Sequence, residues 1–548
     1  MSQLSRSGRR VGTPRLVLAI ASLASVALLS ACSTPITPKT ADPTHWVTTT
    51  SHASGALDSV AWNLLLEPSS LNPALSSNYG ENVVLANLCE SLLRVNPDFS
   101  ITGGLAKLTT NAQHTVLTLA IDPAAKFWDG TPVTAEDAVF SLTLHWHPAV
   151  VSYWHGYFGS VASIEATSER VVTIKMTKPD LLFEKILSTT AGAVVEKAQA
   201  EAAGDAFGTA SAPPVCSGPY KFVDWKQGSE IRIAKNDHYW RGATARVKEI
   251  VFTFLQGDAS QTTAITGDAV QGMYNPPYSG LNQLASHGQV FYGESPLTFY
   301  VTPTQKPGPM QDPRIREALF LATDRKAVAR TAFNGAAVAA QSLLSPSVYG
   351  DVNPTRTKGT GGSPEEIAKA KALVKEAGSP TATIVVAAFT GITESMNQSL
   401  QAMVEAGNKI GLHMQFKSIT LAEYYGLFGG PDGWRDVNAD AFGFQDFLAV
   451  QDPMVMYNRW ATPDNIENYG GFSDSKLSAS IKAASAEPDA AARSKMLAAL
   501  DAKLFAEKPW IPLVNVANVL YMQKGLTGPP ASFVDFFYPW AADLGSAG

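Results

Sequence analysis

The chain has 548 residues, 45% hydrophobic, 16% charged and 9% aromatic, and its 42 basic and 48 acidic side chains give a formal net charge of −6. That length can bury the cores of two or three domains, and the apolar and aromatic share excludes bulk disorder. The acidic balance sets nucleic acid aside as a partner.

Residues 1–15 carry Arg6, Arg9, Arg10 and Arg15 and no acid, and Leu16 to Leu29 is an unbroken run of apolar and small residues. A basic start and a short apolar run predict a secretory signal over 1–31, since the run is too short to span a bilayer comfortably. It ends in Leu29-Ser30-Ala31-Cys32, which resembles the lipobox of bacterial lipoproteins. That resemblance implies acylation of Cys32 and a protein lipid-anchored at the outer face of the cytoplasmic membrane. Removing 1–31 takes away four arginines and no acid, leaving 517 residues with 38 basic and 48 acidic side chains. Residues 32–59, rich in Thr, Ser, Pro and Ala, are expected to form a flexible tether. After Cys32 only Cys89 and Cys216 remain. An oxidising compartment favours a disulfide between them, with two separately buried thiols as the alternative.

From Ala61 onward, short apolar strands alternate with helical segments. Val171–Met176 and Ile250–Phe254 have the alternation and β-branching of strands. Ser363-Pro364-Glu365-Glu366 predicts a helix start with Ser as N-cap, Pro at N1 and Glu366 closing a capping box. Gly378 ends that helix. A strand over Thr383–Ala388, a helix carrying Leu400, Met403 and Val404, and a strand near Met414–Phe416 follow. This β-α-β order predicts parallel strands. A last helix over Ala490–Glu507 leads into one apolar strand, Ile511 to Val519.

Phe127-Trp128-Asp129-Gly130-Thr131-Pro132-Val133-Thr134-Ala135-Glu136-Asp137 resembles the "F-x-D-G-T-P-x-T-A-x-D" signature of family 5 solute-binding proteins, the binding components of peptide and nickel importers. Physically, Asp129-Gly130 suits a turn and Thr134 an N-cap with Asp137 at N3, so the block marks a fold more than a ligand site. Four further stretches match in order: Cys216–Tyr220, Lys235–Gly242, Asp312–Leu319 with Asp324-Arg325, and Asp452-Pro453 with Gly471–Asp474. Two departures, Ala120-Ile121-Asp122 and Thr302-Pro303, bear on local packing.

The resemblance implies an α/β, two-lobed periplasmic-binding-protein-like (type II) fold with two crossover strands and an extra subdomain in lobe I. Lobe I is expected over 60–293 plus 512–548, and lobe II over 294–511. It further implies a monomer that captures a peptide between the lobes and delivers it to the permease subunits of an ABC transporter. In peptide-binding members an Asp after an inner strand holds the ligand's α-ammonium. Here Asp446, after Ala439–Gln445, is the positional match, although its distance to Asp452-Pro453 suggests a local insertion; an exposed loop residue is the alternative. Gly443, Phe444 and Gln445 could offer backbone groups and a wall to an extended ligand, or be plain sheet core. Tyr79 and Trp154 are further contact candidates; Trp154, with Tyr153, His155 and Tyr157, could equally be subdomain core. The spacing of His145, His147 and His155 is weak for a metal site, and no metal or other cofactor is expected. Other solutes (an oligosaccharide, a nickel or other metal chelate) and a sensor lipoprotein remain open. A secreted hydrolase is disfavoured, because no Gly-x-Ser-x-Gly, His-Glu-x-x-His or phosphate-loop motif is present.

Overall fold

The structure is a computed structural model. It describes residues 45–548 apart from 148–151, 243–244, 390–393, 429–431, 464 and 466. The signal segment and Cys32 lie outside the described residues.

Two mixed sheets organise the chain. The first has seven strands in the order Gly288–Gly293, Asn518–Gln523, Gly272–Tyr274, Leu57–Asn63, Val247–Thr253, Glu230–Lys235 and Tyr220–Lys226. The second has six: Ala337–Ala339, Ile511–Val516, Thr298–Pro303, Ala441–Asp446, Thr383–Phe389 and His413–Ile419. This is the two-lobed α/β architecture, one sheet per lobe. The expected helix after Ser363 forms as Pro364–Glu376, with the Ser363–Glu366 capping box in place. The strands on either side of the next helix, Glu394–Lys409, pair in parallel from Thr383↔His413 to Phe389↔Ile419. Leu57–Asn63 is likewise parallel to both of its neighbours and Thr383–Phe389 to Ala441–Asp446, while the other pairings of the two sheets are antiparallel, so both sheets are mixed.

The chain crosses between sheets twice, at 294–297 and at Ala517. Ile511–Val516 therefore belongs with the second sheet, and the expected return to lobe I at 512 is corrected to 517. One unbroken apolar run covers both strands, so hydrophobicity alone carries no mark of the break. The expected tether, 32–59, is corrected as well. From Val47 on it is tied to the body: Val47 N–H donates to the Tyr292 carbonyl at 3.0 Å and Thr50 Oγ1 to the Pro529 carbonyl at 2.8 Å. Leu57 already begins a strand. Its Ser, Thr and Pro content resembles a linker because these residues bond the C-terminal segment through backbone and hydroxyl groups, with little apolar periodicity.

The extra subdomain is an antiparallel sheet of Ala106–Thr110, Val116–Ile121, Val171–Met176 and Val161–Ser168, with helix Ala135–Trp146 among its packed elements. The signature block forms its corner. Asp129 Oδ1 accepts from the Thr131 N–H at 2.9 Å, Gly130 takes a φ of 95°, and Thr134 caps the helix in a box with Asp137. The other matched stretches are structural too. A Cβ on Gly218 would sit 2.5 Å from the Leu88 carbonyl oxygen, so only glycine lets this turn approach the end of helix Tyr79–Leu88. Beside it, Cys89 and Cys216 are joined in a disulfide, with Cα atoms 4.8 Å apart. Arg316 is buried and donates to the carbonyls of Met310, Gln311, Glu507 and Lys508, which ties helix Pro313–Ala322 to the end of helix Ala490–Glu507. Such end-of-helix carbonyls suit a cation.

Candidate functional site

A cavity of about 790 Å³ has walls drawn from both halves of the chain. The first half contributes Tyr79, Asp258, Asn275 and Tyr278. The second contributes Glu394, Tyr424, Tyr425, Gln445 and Phe447, and the C-terminal stretch adds Phe533 and Phe536.

The strand Ala441–Asp446 shows how the sheet sorts its side chains. It pairs antiparallel with Thr298–Pro303, setting Thr298 opposite Asp446, Phe299 opposite Gln445, Tyr300 opposite Phe444 and Val301 opposite Gly443. Successive side chains on a strand point to opposite faces. On the odd-numbered face, Gly443 is covered by Leu400, whose Cδ2 would lie 2.6 Å from a Cβ placed there, while Gln445 reaches the cavity. On the even-numbered face, Phe444 packs its ring against Phe442, Phe428, Trp460 and Tyr469 at centroid distances of 5.1–6.1 Å.

Asp446 shares that even face. Its Oδ2 accepts from Arg459 Nη1 at 3.1 Å, and Arg459 also donates to both oxygens of Glu467 at 2.6 and 2.8 Å. Burial raises Asp446 above the usual carboxylate range, against the pull of Arg459. The expectation that Asp446 receives a ligand ammonium thus meets a carboxylate turned away from the cavity and already paired with a guanidinium. Arg459 shares its single positive charge between Asp446 and Glu467, so it is the direction of Asp446, and not neutralisation alone, that keeps it out of the cavity lining.

Of the six predicted contact residues, the cavity brings together Tyr79 and Gln445; Gly443, Phe444, Asp446 and Trp154 lie elsewhere. Trp154 is 1% exposed, with its indole N–H 3.4 Å from Ser76 Oγ and its ring against Tyr153, Tyr157 and Phe537. It is core, as the plainer alternative had it. The histidines nearby do not converge on a shared centre. His145 bonds Ser152 Oγ through Nδ1 and burial pushes its pKa down to about 3, while His155 Nδ1 faces the His145 carbonyl.

Tyr79 opens helix Tyr79–Leu88, just after Asn78, which caps the helix in a box with Glu81. Its ring meets Phe536 at 5.2 Å, and its hydroxyl stands beside Asn275 and Asp535 without reaching bonding geometry with either. Asp535 is wholly buried, accepts from Asn518 Nδ2 at 3.1 Å, and burial pushes it up to about 7. Across the cavity Tyr278 meets Gln445, and Asn334 Nδ2 donates to the Tyr278 carbonyl at 3.2 Å.

The halves also meet beside the subdomain. Lys185 Nζ lies 2.8 Å from Asp452 Oδ2 and 3.1 Å from the Gln451 carbonyl. Asp452 is fully buried and held below the usual carboxylate range, against burial, by Lys185 and by Arg493, which grips both its oxygens at 2.8 and 3.0 Å.

Two lobes and a cavity walled by both define a protein that encloses a small molecule. The profile described as bacterial extracellular solute-binding proteins, family 5 middle, matches residues 100–468, and the chain belongs to that family, the substrate-binding components of ABC importers. Family membership puts it outside the cytoplasm. The chain is 23% identical over 472 residues to the glutathione-binding protein GsiB of Escherichia coli K12, covering 84% of this chain and 89% of that one. Among solved structures it is similar to the oligopeptide-binding protein AppA of Bacillus subtilis in complex with a nonapeptide (TM-score 0.74, 18% identity, 90% of this chain and 100% of that). It is also similar to NikA of Staphylococcus aureus in complex with Ni(L-His)2 (TM-score 0.72, 19% identity, 88% and 98%).

Proposed function

We propose that the chain is a lipid-anchored binding subunit that captures peptides in this cavity and hands them to the permease subunits of its transporter. The carrying observation is the cavity itself: about 790 Å³, with walls from both halves of the chain. That is within the usual span for small-molecule sites and large for a single sugar. A ligand touching Tyr79 and Tyr278 on one side and Gln445 and Phe447 on the other favours the closed form by its differential affinity for it. Peptides named with the relatives, glutathione for GsiB and a nonapeptide for AppA, support this class.

Recognition then rests on the side chains that line the cavity and not on Asp446. The anchor is an acyl group on Cys32, and the working unit is a monomer. Native mass spectrometry of the purified protein tests the ligand: a ladder of bound peptides is expected, and a bound sugar or metal chelate would overturn the peptide reading. Cys32→Ala should move the protein from the membrane fraction to the medium; retention in the membrane would remove the anchor.

A further inference from the structure

The charge of the cavity is one-sided. Among the described residues that line it, the ionic side chains are Asp258 and Glu394, and no Lys, Arg or His joins them. They come from opposite halves, Asp258 opening helix Asp258–Thr266 and Glu394 opening helix Glu394–Lys409.

A carboxylate in a first helical turn has a structural use, since it complements the helix dipole. That use does not neutralise it. Among the described residues their side-chain partners are uncharged: Ser279 Oγ donates to Asp258 at 2.6 Å, and Gln398 Nε2 to Glu394 at 3.1 Å. Open to water, two such carboxylates cost little. Once a ligand fills the space, each unpaired charge loses solvent, and a third negative charge beside them would be repelled.

One further feature points to what fills it. Aromatic rings, among them Tyr424, Tyr425, Phe447 and Phe536, form much of the wall and offer faces that attract cations. Tyr79 and Asn275 line the cavity as well, but the Tyr79 hydroxyl is itself buried beside Asn275 and Asp535.

We infer that the cavity is selective for an organic cation, a solute that brings an amine or guanidinium to Asp258 and Glu394 and carries no anionic group into the cleft. This deepens the reading of the cavity as the solute site and rests on it. Among peptides it selects basic side chains and disfavours a buried terminal carboxylate.

Isothermal titration with four probes tests the inference: trilysine amide, N-acetyl-trialanine amide, N-acetyl-triglutamate and spermidine. Trilysine amide and spermidine are expected to bind, triglutamate not to bind, and added salt to weaken both cations. Asp258→Asn and Glu394→Gln should each weaken trilysine amide by on the order of tenfold and lower the unfolding temperature by a few degrees at most. N-acetyl-trialanine amide, which carries no charge, binding as tightly as trilysine amide, triglutamate binding equally well, or substitutions without effect on trilysine amide would overturn the cation selectivity while leaving a peptide site standing. Spermidine binding with no peptide bound would keep the selectivity and overturn the peptide reading. Failure of all four would overturn both.

Discussion

Arg459 holds Asp446 at 3.1 Å on the face of the sheet opposite the cavity, and the same guanidinium holds Glu467. Arg459→Met would leave two carboxylates unpaired in a mostly buried setting, and should destabilise the fold by about 3–5 kcal/mol. Denaturant unfolding measures this. Asp446→Asn should leave the affinity ratio between a free-amino peptide and its N-acetylated form unchanged. A selective loss for the free-amino form would return Asp446 to the ligand site.

Asp452 has two cationic partners of unequal weight. Arg493 is buried with it, whereas Lys185 reaches it from the other lobe with its side chain about a third exposed. Arg493→Met should therefore cost about 3–5 kcal/mol of stability. Lys185→Met should cost under about 1 kcal/mol, because Arg493 still neutralises Asp452. Its effect belongs to closure: solution scattering should find a larger radius of gyration for the unliganded variant. Equal losses of stability from the two substitutions would contradict this division.

The bond between Cys89 and Cys216 closes a 127-residue separation at the end of helix Tyr79–Leu88. Replacing both with serine should lower stability by about 2–5 kcal/mol. The cavity-lining residues are separate from this bridge, so ligand affinity measured well below the unfolding temperature should be retained. Calorimetric scans and titrations of the double variant distinguish the two effects.

Asp535 gives a pH signature. Burial raises its pKa to about 7 in the fold, against about 3.9 in an unfolded chain. The folded form thus holds the proton more tightly, and this contribution to stability is complete below about pH 4 and is lost as the pH rises towards 7. Asp535→Asn removes that slope. Relative to wild type, the variant should gain on the order of 3–4 kcal/mol between pH 4 and 7, then level off. Unfolding curves at several pH values check this, and parallel profiles for the two proteins would reject it.

Residues that do their work locally were legible in the sequence. Thr134 with Asp137, and Ser363 with Glu366, cap helices through contacts three residues apart, and both boxes form. The matched family stretches were legible for a related reason: Gly218 and Arg316 serve close approaches that tolerate few other side chains. The break at Ala517 was not legible, since strands on either side are equally apolar. Nor was the cavity. Asp258, Asn275, Glu394, Tyr424 and Phe536 come from separate loops and helix starts, and only the assembled sheets bring them to one space. Asp446 was found by position, but which way it points depends on the parity of its strand, and Arg459, 13 residues on, decides what it meets.

That parity separates two kinds of inheritance. Changes at Gln445 or Phe447 alter what the cleft presents to a solute, while changes at Phe444 or Asp446 strike the ring cluster and the ion pair behind it. Lineages can therefore drift in diet along one register of this strand while the other stays under selection for folding. A single-residue insertion ahead of it would exchange the two roles at once, so specificity here should evolve by substitution and almost never by length change.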